Sequence, residues 1–354
     1  MRATGGDRPR RAGRAALAAA CSAGVAVALS AASPLAGQPA QATGRTPPVA
    51  WVATRGLVSD PGDTVARVDL SNRRVGPPLV VANEPVALAT APGGRLLVAD
   101  EGRNLLSVVD AATGEVTASV GVGLEPDAVA VAPGGTDGRG IALVADFGDA
   151  SVTPVDLGTL RAGPPVPVGP QPVAVAVAPG FGLRPPTAVV ADFGGGEVTP
   201  IDVSTMTAGP AVPVGDEPEA LAVVAEGPAG GPAALVGDVG TDEVVPVDLT
   251  TFAVGAAMAL GSDPTAMAVA PGGTTWVVAG ASLVPLAPGS LAPGTPVALP
   301  DVGEAVALEG SATAWVAEQD GSLVPVALAT GRAGRAVAVG GRPTAVAVTG
   351  RLDP

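Results

Sequence analysis

Valine and alanine alternate in short runs through most of the chain, and a proline opens most of these runs. Val173-Ala174-Val175-Ala176-Val177 follows Pro172 and stops at Pro179-Gly180, a pattern suited to a strand packed tightly on one face. The same unit continues with Ala188-Val189-Val190-Ala191, ended by Asp192-Phe193-Gly194. Glu197-Val198-Thr199-Pro200-Ile201-Asp202 and a run from Gly209 to Val214 complete it. Gly, Pro, Asp or Ser bounds each run, so four short strands per unit are predicted. Abundant alanine would also suit helix, but a proline or glycine within nearly every ten residues breaks any long helical stripe.

The unit recurs at a fixed interval. Asp100, Asp146, Asp192 and Asp238 are each 46 residues apart, as are Asp110, Asp156, Asp202 and Asp248, and Pro126, Pro172, Pro218 and Pro264. Diverged copies extend the series at Trp51-Val52-Ala53-Thr54, Trp276-Val277-Val278-Ala279 and Trp315-Val316-Ala317-Glu318. Four-stranded antiparallel units repeated radially give an all-β propeller, whose sheets bury both faces against their neighbours. First strands begin near Pro85, Pro126, Pro172, Pro218, Pro264, Gly303 and Pro343, which makes seven blades. The last unit stops after its first strand, while residues 50–80 hold only the second, third and fourth. Thr344–Val348 is therefore expected to pair inside the N-terminal blade and close the ring. Proline within the third strand, at Pro154, Pro200, Pro246, Pro285 and Pro325, conflicts with an internal position. The conflict resolves if each proline nitrogen faces a poorly paired outer strand, blunted further by Pro167 and Pro213.

Composition narrows the chemistry. Glycine and proline, 50 and 38 of 354 residues, mark low complexity in a chain without a period, but this one has a period. Histidine and tyrosine are absent, no lysine occurs, and Cys21 is the single cysteine. Ser-His-Asp and Cys-His catalysis, zinc held by His or Cys, and lysine Schiff bases are thereby excluded.

The amino terminus reads as an export signal. Arg2, Arg8, Arg10, Arg11 and Arg14 precede an apolar run from Ala15 to Leu35, and Ala40-Gln41-Ala42 supplies a small-x-small cleavage site. The expected organisation is a signal peptide over residues 1–42, a linker over 43–49 and the propeller over 50–354. Alternatives are a twin-arginine route through Arg10-Arg11, lipid attachment at Cys21, and an uncleaved anchor. Cleavage places the mature chain, with no later membrane span, in a secreted or extracytoplasmic space, where a monomer is expected. The net charge of −14 becomes more negative once the basic leader is gone. Such a surface repels nucleic acid and anionic lipid.

The repeats resemble the YVTN-type β-propeller family over roughly residues 50–350. The family's tetrad corresponds to Trp51-Val52-Ala53-Thr54, Leu97-Val98-Ala99-Asp100, Leu143-Val144-Ala145-Asp146, Val189-Val190-Ala191-Asp192 and Leu235-Val236-Gly237-Asp238. Its Val-x-Val-Ile-Asp segment with a following Gly-x-x-Pro turn corresponds to Ser107-Val108-Val109-Asp110 and Gly123-Leu124-Glu125-Pro126. The resemblance implies the propeller fold, with functions that span surface proteins, binding scaffolds and lactonase-like or lyase enzymes.

Two sets of acids are expected at one mouth of the channel, where second strands end and first strands begin. One is Asp100, Asp146, Asp192, Asp238 and Glu318. The other is Glu84, Glu125, Asp216, Glu217 and Asp263. Such a ring could hold Ca²⁺ through oxygen ligands or attract a cationic partner. The competing role is turn capping, with each Asp-x-Gly carboxylate accepting the backbone N–H two residues on. The two Asp-Phe-Gly triplets lack the lysine that would position phosphates, and Gly134–Gly140 joins two strands rather than opening a helix. Trp51, Trp276 and Trp315 are expected to be buried between blades. No cofactor is expected apart from that Ca²⁺. The preferred function is an exported, non-enzymatic binding or structural propeller that offers one channel mouth to a protein, polymer or small ligand. The alternative is a lactonase-like or metal-dependent hydrolase with carboxylate ligands at the same mouth.

Overall fold

The computed structural model describes residues 47–56, 63–81, 83–178, 180 and 185–350. The expected signal peptide, most of the linker, Cys21, Pro179 and residues 351–354 lie outside the described residues.

Seven antiparallel sheets stand around one axis, and the order within each runs from an inner strand outward in chain order. The inner strands of blades 2 to 7 are Pro85–Ala91, Pro126–Ala132, Pro172–Ala178, Pro218–Val224, Pro264–Val269 and Gly303–Glu309. Blade 1 takes its inner strand from the other end of the chain. Val49–Arg55 is its second strand and pairs on one side with Thr64–Asp69 and on the other with Arg342–Thr349. The first of these begins at Val49, the last residue of the expected linker. The ring is closed by this pairing, as the strand count in the sequence implied, and no inner edge of blade 1 is left open.

Alternating Val and Ala make these strands because both faces are covered. Every residue of Pro172–Ala178 and of Pro218–Val224 is buried. Each cluster of buried residues spans adjacent blades, for example Ala174, Ala176 and Val189 with Leu221 and Leu235. Alanine fits where inner strands converge, interspersed with Leu88, Leu221 and Met267, and the large Trp rings lie on second strands, where the blades are further apart. Trp51, Trp276 and Trp315 are 0%, 7% and 2% exposed.

The third-strand prolines shape the outer edge of five blades. Pro154 pairs normally with Leu143 on its inner side. Toward the outside it has no N–H to offer, and the outer strand breaks there into Arg161–Ala162 and Val166–Pro167. The run predicted from Gly209 to Val214 is likewise replaced by two short pieces, Thr207–Ala208 and Val212–Pro213. At each break a glycine nine residues after the proline donates its N–H to the proline carbonyl. Gly163 to Pro154 is 2.7 Å, Gly209 to Pro200 is 2.8 Å and Gly334 to Pro325 is 2.7 Å. A Cβ on Gly163 would sit 3.2 Å from the Pro154 ring, so the residue facing the proline has to be small. Blade 1 has Arg67 in place of the proline, and blade 2 has Val108. The outer strand of blade 2 is continuous over Val116–Gly121.

Candidate functional site

The register of each inner strand carries the same irregularity. In blade 3, Pro126 pairs with Asp146 and Ala128 with Ala145, which leaves Asp127 as an extra residue bulged out of the ladder. All seven inner strands share this bulge. The bulged residues are Val86, Asp127, Val173, Glu219, Thr265, Glu304 and Thr344. A β-bulge re-aims one side chain and is common at the rims of closed sheets.

Here the bulges face the channel axis. Glu219 of blade 5 feels the charges of Asp127 in blade 3 and Glu304 in blade 7, neither of them in a neighbouring blade. Thr344 of blade 1 donates its hydroxyl to the Pro85 carbonyl of blade 2 at 2.8 Å, and Thr265 of blade 6 reaches Gly303 of blade 7 at 3.3 Å. Arg342 crosses from blade 1 to hold Glu304 at 2.7 Å. The result is a collar one residue inside the mouth, with acids on blades 3, 5 and 7.

Glu219 is the exceptional member. It is 5% exposed, and among the described residues no donor hydrogen-bonds its carboxylate. Burial, reinforced by Glu304, Asp127, Asp263 and Glu217, raises its carboxyl well above the usual range. Valine fills the equivalent place in blades 2 and 4, so blade architecture does not require an acid there.

The acids predicted from the sequence do lie at this end, because each second strand ends opposite the start of its inner strand. They separate into two layers. Asp100, Asp146, Asp192, Asp238 and Glu318 are fully buried. Each reaches the turn entering its own blade: Asp100 accepts from Asn83 N, Asp146 from Gly123 N, and Asp238 from Asp216 N and Glu217 N. Asp192 takes the Gly169 N–H and Glu318 that of Asp301. Glu84, Glu125, Asp216 and Asp263 are exposed on the rim, and Glu217 is half-buried. Arg55, paired with Glu101, belongs to the same face.

The predicted Asp-x-Gly cap is found at Asp238, which accepts from Gly240 N at 2.9 Å. It is not found at Asp146, where Gly148 donates instead to the Leu124 carbonyl. Asp146 and Asp192 turn inward because a threonine seven residues later supplies a better donor. Thr153 and Thr199 each bond their carboxylate at 2.6 Å. Burial nevertheless lifts Asp146 to about 6 and Asp192 to about 7, and it also raises Asp100 and Glu318.

Among the described residues no three acidic, His or Cys side chains converge to hold a metal ion. No helix there is long and apolar enough to cross a membrane. The collar acids were missed in the sequence, although Asp127 and Glu219 each follow a marker proline and Glu304 follows Gly303 at the equivalent place.

Comparison with known proteins supports the fold alone. No family model matches the chain, and no curated protein matches it. A functionally unknown protein from Desulfotomaculum acetoxidans superposes with a TM-score of 0.71 at 12% identity, covering 87% of this chain and 100% of that one. Kuenenia stuttgartiensis hydrazine synthase superposes with a TM-score of 0.62 at 18% identity, covering 79% of this chain and 91% of that one. The YVTN likeness of the repeats is not matched by any family model.

Proposed function

We infer that this chain is an exported, non-enzymatic binding propeller that presents one acidic channel mouth to a cationic ligand or partner. A single observation carries the reading. The carboxylates that fasten the turns lie buried beneath the mouth, while Glu84, Glu125, Asp216 and Asp263 remain exposed around it. The exposed set sits on short turns between rigid blades, where field lines concentrate. The basic leader and the acidic mature composition support placement outside the cytoplasm. The hydrolase reading needs carboxylates converging at metal-bonding distance and draws no support from the described residues.

The test is binding of a fluorescent lysine-rich peptide, compared between the purified protein and a Glu84→Gln, Glu125→Gln, Asp216→Asn variant. Affinity that falls severalfold in the variant, and falls with added salt, supports the reading. Equal affinity in both proteins overturns it.

A further inference from the structure

We propose that the bulge collar is a binding site for a primary alkylammonium group, entering along the channel axis and received by Glu219 within the field of Asp127 and Glu304. The proposal rests on the acidic-mouth reading and deepens it to a ligand class.

The first support is the cost of Glu219. A buried carboxylate with like-charged neighbours and no hydrogen-bond donor among the described residues is expensive to maintain. The fold supplies its own control, since Val86 and Val173 occupy the same bulge in blades 2 and 4. An acid retained where valine serves is explained by a donor that arrives from outside.

The second support is the shape of the charge. The charges of Asp127 on blade 3 and Glu304 on blade 7 reach Glu219 on blade 5, and an ammonium supplies both the N–H donor that Glu219 lacks and a positive charge that offsets its neighbours. The Arg342 guanidinium already pairs with Glu304. Its positive charge favours a monocation over a divalent metal, which would also require six to eight oxygen ligands. The buried side chains of Val86 and Val173 flank Asp127 and give a methylene stem an apolar wall. A free amine and the lysine side chain of a partner share this chemistry.

Calorimetric titration of the purified full chain at low salt and about pH 8, where alkylamines stay protonated, tests the assignment. The probes are n-butylamine, the tripeptide Gly-Lys-Gly, tetramethylammonium and CaCl₂. One molecule of butylamine, tripeptide or both should bind per chain, and Glu219→Val should weaken binding at least tenfold while the protein stays folded. Binding of butylamine alone identifies a free amine as the ligand, and binding of the tripeptide alone identifies a partner's lysine. Tetramethylammonium or CaCl₂ binding as tightly overturns the assignment, because neither offers N–H donors. Unchanged binding in Glu219→Val with weakening in the rim triple variant also overturns it, yet preserves the acidic-mouth function. Binding of no probe in any variant sinks the collar site. The acidic-mouth reading then stands or falls with the lysine-rich peptide.

Discussion

The indole N–H of Trp51 donates to the hydroxyl of Thr349 at 3.0 Å, joining positions 298 residues apart in the chain. The bond lies on the seam where Arg342–Thr349 completes blade 1. Every other blade takes all its strands from one continuous stretch, so the ring's closure depends on this seam alone.

Removal of residues 342–349 should therefore do more harm than loss of any one outer strand. It uncovers the backbone edge of Val49–Arg55 and the blade faces on both sides. The expected outcome is loss of a single cooperative melting transition and concentration-dependent aggregation. Thr349→Val removes the acceptor of this bond and leaves the Trp51 ring in place, and it should cost about 1 kcal/mol, a shift of about 2 °C in a thermal scan. A truncated chain that melts like the intact one would show that the seam does not hold the ring.

Asp192 ties acidity to stability. Its folded value of about 7 lies above the ordinary 3.8, and Asp146 at about 6 follows the same trend. The folded protein binds more protons than the unfolded chain between these limits, so stability is full below about pH 4 and falls as pH rises to about 7. Asp156 and Asp202, held low by hydrogen bonds from Thr159 and Ser204, act oppositely and only below that window. Melting temperature should be higher at pH 5 than at pH 8. Asp192→Asn mimics the protonated acid, so it should leave the pH 5 value nearly unchanged and raise the pH 8 value. A variant as pH-sensitive as the parent would contradict this.

The blade count, the inner strands and the closing pair were legible because each depends on a local signal repeated at one interval. Asp100, Asp146, Asp192 and Asp238 marked the ends of second strands, and the paired prolines marked the starts of inner ones. The route of the Asp146 carboxylate was not legible, because Asp-Phe-Gly reads as a self-contained turn while its real partner, Thr153, lies on the next strand. The collar was less visible still. Asp127, Glu219 and Glu304 each look like one polar residue in a Val-Ala run, and only the ring geometry brings three alternate blades to one axis.

Val108 offers a test of what proline does in the third strand. Blade 2, which lacks proline there, keeps a continuous outer strand over Val116–Gly121, whereas Pro154 and Pro200 interrupt theirs. In hydrogen exchange, the ladder amides of Val116–Gly121 should exchange at least about tenfold more slowly than those of Arg161–Pro167. Val108→Pro should abolish that protection without unfolding the inner strands. Outer strands of proline blades that exchange as slowly as their inner strands would refute the account.

Glu219 and Val173 make a reciprocal pair, an acid and an apolar side chain at equivalent bulges two residue types apart in cost. Burial and the charges around Glu219 raise its carboxyl, so its ionisation opposes folding as pH climbs above the ordinary glutamate range. Glu219→Val removes that opposition. It should stabilise the protein by on the order of 1–3 kcal/mol at pH 8 and by less at pH 5. Val173→Glu adds a fourth carboxylate to the collar, facing the same acids without the Arg342 guanidinium that Glu304 enjoys, and should lower the melting temperature more at pH 8 than at pH 5. Chemical denaturation at both pH values measures each difference. A loss of stability in Glu219→Val at either pH would mean that the acid supports the inner strands instead of awaiting a ligand, and the collar would then be architecture rather than a site.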